Sequence, residues 1–166
     1  HRFTALLILV NKFQIAIKQN NISTQQEIYH FYIHHAKHIN NWDLVDTSAP
    51  HIIGTYLLTH PIQKPILTTL ATSPNLWEKR MSIVSTFAFI RNNQYQDTLH
   101  LSTLLLNDQH DLIHKAIGWM LREVGKKDVN VLEKFLAQYT SIMPRTTLRY
   151  AIEKFPEQKR KEYLKL

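Results

Sequence analysis

A recurrence of 34 to 35 residues constrains this chain more than any other feature. Trp42 to Trp77 is 35 residues, Asp46 to Arg80 is 34, Arg80 to Lys115 is 35 and Lys115 to Arg149 is 34. Apolar residues return at helical rather than alternating spacing along the chain. The hairpin dipeptides Asn-Gly and Asp-Gly are absent, and only three glycines and six prolines punctuate the sequence. A period of this length, with a helix pair per unit, is the mark of an α-solenoid, whose units bury their apolar faces against neighbours and stack around a concave surface. An all-α fold is expected. If the register holds, Asp46, Arg80, Lys115 and Arg149 occupy equivalent positions and line one face as an acid followed by three bases.

Local signals divide the chain into helices. The first is expected over residues 3–17. A second is capped by Ser23 or Thr24, with Glu27 in the capping-box position relative to Thr24, and runs to about Ile39. A third spans residues 42–59 and is kinked near Ser48-Ala49-Pro50. Pro61 starts a short fourth. Ser73 and Pro74 fit the N-cap and N1 of a fifth over residues 76–91. A sixth covers 94–106. Asp108 caps a seventh that runs to Glu123 and is closed by Gly125. Residues 128–139 form an eighth, Pro144 opens a ninth and Pro156 a last short one.

At 166 residues the chain suits a single domain, residues 1–166, with one good core. A net charge of +7 favours an anionic partner, nucleic acid first and an anionic membrane surface second. Zero cysteines exclude disulfides and cysteine-based zinc sites and fit a reducing compartment. No apolar run approaches the length of a membrane span. The apolar stretch at 3–10 is short and lacks a small-residue cleavage site, so it does not read as a signal peptide. Walker, GxGxxG and GxSxG patterns are absent.

Four constellations are candidates for chemistry. In the stretch NWDLVDTSAP at 41–50, Trp42 and Asp46 stand four residues apart, one helical turn from each other on one face. An aromatic face beside a carboxylate suits something cationic. The alternative is a core tryptophan beside a salt-bridged aspartate. In IHKAIGWMLRE at 113–123, Lys115, Trp119 and Arg122 share one face, and the small Ala116 and Gly118 allow backbone or ligand to approach. In LWEKRMS at 76–82, Trp77 is read as filling between helix layers. Basic side chains interleaved with aromatics suit a nucleic-acid duplex. Asp46 is the odd residue there, because phosphate repels it; stabilising a positive charge that develops in a reaction would give it a purpose. His30, His34 and His38 fall at i, i+4, i+8, with His35 beside them. No HExxH pattern accompanies them and Glu27 is the only acid on that helix, so a hydrated or DNA-facing histidine face is expected and no metal site.

WDLVD at 42–46, LWEKR at 76–80, HKAIGWMLRE at 114–123 and MPRTTLRYAIEKF at 143–155 together resemble the bacterial AlkD-like DNA alkylation repair proteins. The resemblance runs from about Asn40 to Phe155 and is weaker before that. It implies a right-handed α-solenoid of HEAT-like repeats with a concave basic face, and the family's chain extends further at the N-terminus, so part of the N-terminal repeats is expected to be absent. It implies release of cationic alkylated purines such as 3-methyladenine and 7-methylguanine from double-stranded DNA, without base flipping and with no cofactor. Asp46 matches the family's catalytic aspartate, Trp42 and Trp119 the two tryptophans that pack against the damaged nucleotide's backbone, and Arg80 a phosphate contact. Lys115, Arg149 and Arg122 are candidate phosphate contacts by register and face. Position 41 is Asn where some members have a second tryptophan. A cytoplasmic, nucleoid-associated enzyme with no membrane and no obligate protein partner is expected. The rivals are a non-catalytic solenoid that binds damaged or branched DNA by shape and charge, and a protein–protein scaffold.

Overall fold

The computed structural model describes residues 1–165, and no strand occurs among them. The chain opens with α1 (Arg2–Lys18) and α2 (Ile22–His34), followed by a 3₁₀ turn at Ala36–His38. Asn21, rather than Ser23 or Thr24, caps α2: its side chain accepts the Thr24 amide at 3.1 Å. Thr24 is thus the third helical residue and the recipient of the cap.

α3 (Trp42–Ala49), a π turn at Pro50–Gly54 and α4 (Thr55–Thr59) form the interrupted helix that Pro50 foretold. Proline lacks an amide proton and its ring crowds the carbonyl of residue i−4, here Asp46. The wider π turn relieves that crowding without ending the helix. A 3₁₀ turn at Pro61–Gln63 leads into α5 (Pro65–Ala71).

The expected helix over 76–91 is two: α6 (Leu76–Ser85) and α7 (Phe87–Arg91). Ser82, Ser85 and Thr86 each return a hydroxyl to a carbonyl of the preceding turn, at 2.7, 2.6 and 2.6 Å. Such bonds compete with the helix ladder and bend it. Asn75 caps α6 through the amides of Trp77 and Glu78; Ser73 lies outside the cap and hydrogen-bonds Glu78.

α8 (Gln96–Leu105), α9 (Asp111–Lys127), α10 (Val129–Tyr139), α11 (Arg145–Ala151) and α12 (Glu157–Lys165) complete the described chain. His110 caps α9 through the Leu112 amide, while Asp108, two residues earlier, accepts the His110 amide. Gly125 does not close α9; it lies inside it, where a Cβ would stand 2.4 Å from Leu132 of α10.

Packing passes from helix to helix along the chain: α3 lies on α6, α6 on α9 and α9 on α11, with α5, α8 and α10 packed against this set. Polar contacts between neighbours recur at the spacing seen in the sequence. Arg80 reaches Asp46 across 34 residues, Thr147 donates to the His114 carbonyl across 33, and Lys64 pairs with Asp97 across 33. Val45, Ile53, Met81, Val84, Ile117 and Leu148 are fully buried between the layers. Gly118 sets the α9–α11 distance: a Cβ there would meet Tyr150 Cβ at 2.4 Å and the Thr147 carbonyl at 2.7 Å. The small residue therefore admits a neighbouring helix rather than a ligand.

Candidate DNA-facing site

Trp42, Asp46, Arg80, Leu112, Lys115, Trp119, Arg122 and Tyr150 line one open groove of about 380 Å³. They come from α3, α6, α9 and α11, so the helix-to-helix packing assembles the site. Trp42 is the first residue of α3. Asn41 accepts its amide at 2.8 Å, which fixes the start of the helix and lets the indole project, 53% exposed. One turn later Asp46 faces the same groove. Beneath it, Tyr32 donates to Ser48 at 2.7 Å, and Ser48 donates to the Leu44 carbonyl. Burial, with Asp46 nearby, pushes the Tyr32 hydroxyl up, so it stays protonated and anchors α3 from behind.

Arg80 grips Asp46 with both edges of its fork, Nε to Oδ1 at 2.8 Å and Nη2 to Oδ2 at 2.7 Å. Its remaining terminal nitrogen donates to the Leu112 carbonyl at the start of α9. The Arg80 side chain is 6% exposed and that of Asp46 17%. Arg80 thus ties α3, α6 and α9 together and fixes the plane of the Asp46 carboxylate. The carboxylate and the carbonyl take three of its five N–H donors, so the expected phosphate contact is here engaged first with the protein itself.

The other cations of the groove are also paired. Lys115 meets Asp111 at 2.7 Å, and that hydrogen-bonded carboxylate holds its ammonium above the usual lysine value. Arg122 donates to Glu153 and stands 3.7 Å from Glu123, while its Nε is buried without a hydrogen-bond partner among the described residues. Arg149 is exposed on α11, but the groove is lined by its neighbour Tyr150. Trp119 is partly buried, its ring 5.9 Å from that of Phe87 and tilted by 45°. Trp77 packs, partly buried, against the core.

A larger groove, about 740 Å³, lies between the α5–α6 and α8–α9 connections. Its charges are closed on each other: Lys79 meets Asp108 at 2.6 Å. Burial pushes the Asp108 carboxyl up, but the Lys79 ammonium and the His110 amide outweigh it and carry it below the usual carboxylate range. This groove offers no chemistry comparable to the first.

His30 and His34 lie on α2, but His38 falls beyond its end in the 3₁₀ turn, so the three do not share one helical face. His35 Nδ1 bonds the Phe31 carbonyl at 2.8 Å. Among the described residues no three His, Asp or Glu side chains gather as metal ligands, and no helix is long and apolar enough to cross a membrane.

Residues 1–155 match the family described as DNA alkylation repair enzyme. The chain belongs to that family. The match starts at the first residue, so the likeness extends through α1 and α2 as well as the blocks from Asn40 onward. No curated protein matches the chain. Membership in the DNA alkylation repair family supports a role in that repair, with DNA as the molecule acted on. Sequence inspection of this family member missed Tyr150 and Leu112 in the groove. Tyr150 did carry a signal: it lies 35 residues after Lys115, as Lys115 does after Arg80. A register good to one residue could not separate it from Arg149.

Proposed function

We propose that the chain is a DNA glycosylase that hydrolyses the N-glycosidic bond of cationic alkylated purines, such as 3-methyladenine and 7-methylguanine, in double-stranded DNA. The observation that carries this reading is the meeting of Trp42, Asp46 and Trp119 at one open groove, on helices brought together from distant parts of the sequence. The helix pairs are read as HEAT-like repeats of a right-handed solenoid. The stepwise packing of α3, α6, α9 and α11, and contacts recurring near 34 residues, support that description.

A purine alkylated at N3 or N7 is already a cation. When the glycosidic bond breaks, the electron pair goes to the base, which leaves neutral and needs no general acid. The positive charge passes to the deoxyribose as an oxocarbenium-like sugar. Asp46, held in one plane by Arg80, is the group that stabilises this charge and positions the water that attacks C1′. Preorganised groups of this kind contribute on the order of 10²–10³ in rate. The faces of Trp42 and Trp119 add cation–π attraction of about 0.5–2 kcal/mol each. Because the groove is open, the damaged nucleotide is handled in the stack rather than flipped into a pocket. Lys115, Arg122 and Arg149 are the proposed phosphate contacts. The Lys115–Asp111 pair is exposed, and opening it for a phosphate costs little.

The Asp46–Arg80 pair also favours a second reading. Both carboxylate oxygens are occupied by Arg80, as in a salt bridge that serves only to join α3 to α6. The chain would then bind damaged or branched DNA without cutting it. Incubation with duplexes carrying one 7-methylguanine or one neutral hypoxanthine, in EDTA, separates the two. Glycosylase function requires release of the cationic base and not of the neutral one. Salt-sensitive DNA binding with no release of either would select the non-catalytic reading.

A further inference from the structure

We propose that Arg91 is a backbone-phosphate contact at the Trp119 end of the groove, and one that needs no ion pair opened. The inference rests on the DNA-glycosylase reading and adds to it a residue that grips the strand beside the lesion.

The charge inventory of the groove leads there. Arg80 is spent on Asp46, Lys115 on Asp111 and Arg122 on Glu153. A phosphate approaching these three must compete with a carboxylate already in place. Among the described residues Arg91 joins no ion pair. It is exposed at the end of α7, yet it is not a loose surface arginine. Its guanidinium carbon lies over the Phe87 ring, 4.5 Å from the centroid, and Phe87 is the ring that abuts Trp119. Arg91, Phe87 and Trp119 form a ladder that ends in the groove. Within α7, Phe87 and Arg91 stand four residues apart, one turn from each other on one face.

Stacking of this kind suits phosphate. An aromatic face engages the flat of the guanidinium and leaves the N–H edge free for bidentate contact with two phosphate oxygens. It also removes much of the side-chain entropy that a free arginine would lose on binding. The neighbouring π turn presents His51, half-buried. Burial, and then the positive charge of Arg91, hold its imidazole below the ordinary histidine value.

Fluorescence anisotropy of a labelled duplex across a salt series tests the assignment. Arg91→Gln should weaken binding several-fold and lower the slope of log affinity against log salt by about 0.9, the value of one phosphate contact. Arg91→Lys keeps the charge without the fork, so it should keep the slope and lose part of the affinity. Lys12→Gln removes the same charge from an exposed position on α1 and should leave the slope unchanged. A neutral methylphosphonate beside a 7-methylguanine should weaken the wild type and weaken Arg91→Gln little further. An unchanged slope in Arg91→Gln, an equal loss in Lys12→Gln, or fully additive losses with the methylphosphonate would overturn the inference while leaving the glycosylase reading intact. A wild-type chain without salt-sensitive DNA binding would overturn both.

Discussion

Helix α1 is built largely from Leu, Ile, Val, Phe and Ala, yet only Val10, Phe13 and Ala16 among its 17 residues are buried; Phe3, Leu7, Ile8 and Ile15 are exposed. Helix α6 contains Glu78, Lys79, Arg80 and two serines, yet every residue from Arg80 to Ser85 is buried. The two helices invert the usual relation between hydrophobicity and burial. The cause is the number of neighbours. α6 has α3, α5, α8 and α9 around it, whereas α1 packs on α2, α3 and the adjoining π turn. Here the number of helices packed around an element decides burial more than its composition does. The polar residues of α6 survive there because each has a partner: serine hydroxyls return to the helix backbone and Arg80 closes on Asp46.

The contrast can be broken by truncation. Met81→Ala, at a fully buried position of α6, should cost about 4 kcal/mol. Ile8→Ala, at a 53% exposed position of α1, should stay within about 0.5 kcal/mol in the same urea titration. Equal costs would mean that α1 is covered as α6 is. Arg80→Met is next, at about 3 kcal/mol, the low end for orphaning a buried partner because Asp46 keeps some contact with water. Adding Asp46→Asn should recover a large part of that loss, since no charge is then stranded; strict additivity would deny the coupling.

Gly118→Ala tests the α9–α11 contact and should cost about 2 kcal/mol through overpacking, read as a lowered melting temperature. The smallest effect belongs to His51. Its folded pKa lies below the ordinary 6.5, so the unfolded chain binds a proton that the folded chain refuses. Stability should be unaffected by this group above pH 6.5 and should fall as pH drops from 6.5 toward the lower folded value. His51→Gln should flatten that part of the stability–pH curve.

The sequence revealed the fold's outline because its strongest signals are local. Pro50, Pro61 and Pro144 mark breaks that the backbone respects, and the Asp46-to-Arg80 interval appears as a direct contact between α3 and α6. Caps were harder to read. Ser73, Thr24 and Asp108 each had the right chemistry, but Ser73 and Asp108 fall before the cap position and Thr24 inside the helix, and Asn75, Asn21 and His110 take the role. The division at Thr86 was invisible because serine and threonine bend a helix only when their hydroxyls turn back to its carbonyls. At the site, residue types pointed to Trp42, Asp46 and Trp119. What a sequence cannot show is which charges are already spent. Arg80 reads as an available cation and folds into the least available one, while Arg91 carries no motif and stays free over a phenyl ring.

The central issue is whether Asp46 does chemistry or only holds α3 to α6. Single-turnover release of 7-methylguanine by wild type and Asp46→Asn, with melting temperature and DNA affinity recorded on the same samples, addresses it directly. Expected is a rate loss on the order of 10²–10³ in Asp46→Asn with DNA binding retained in a folded protein. A folded Asp46→Asn that releases the base at the wild-type rate would contradict the assignment of the chemistry to Asp46.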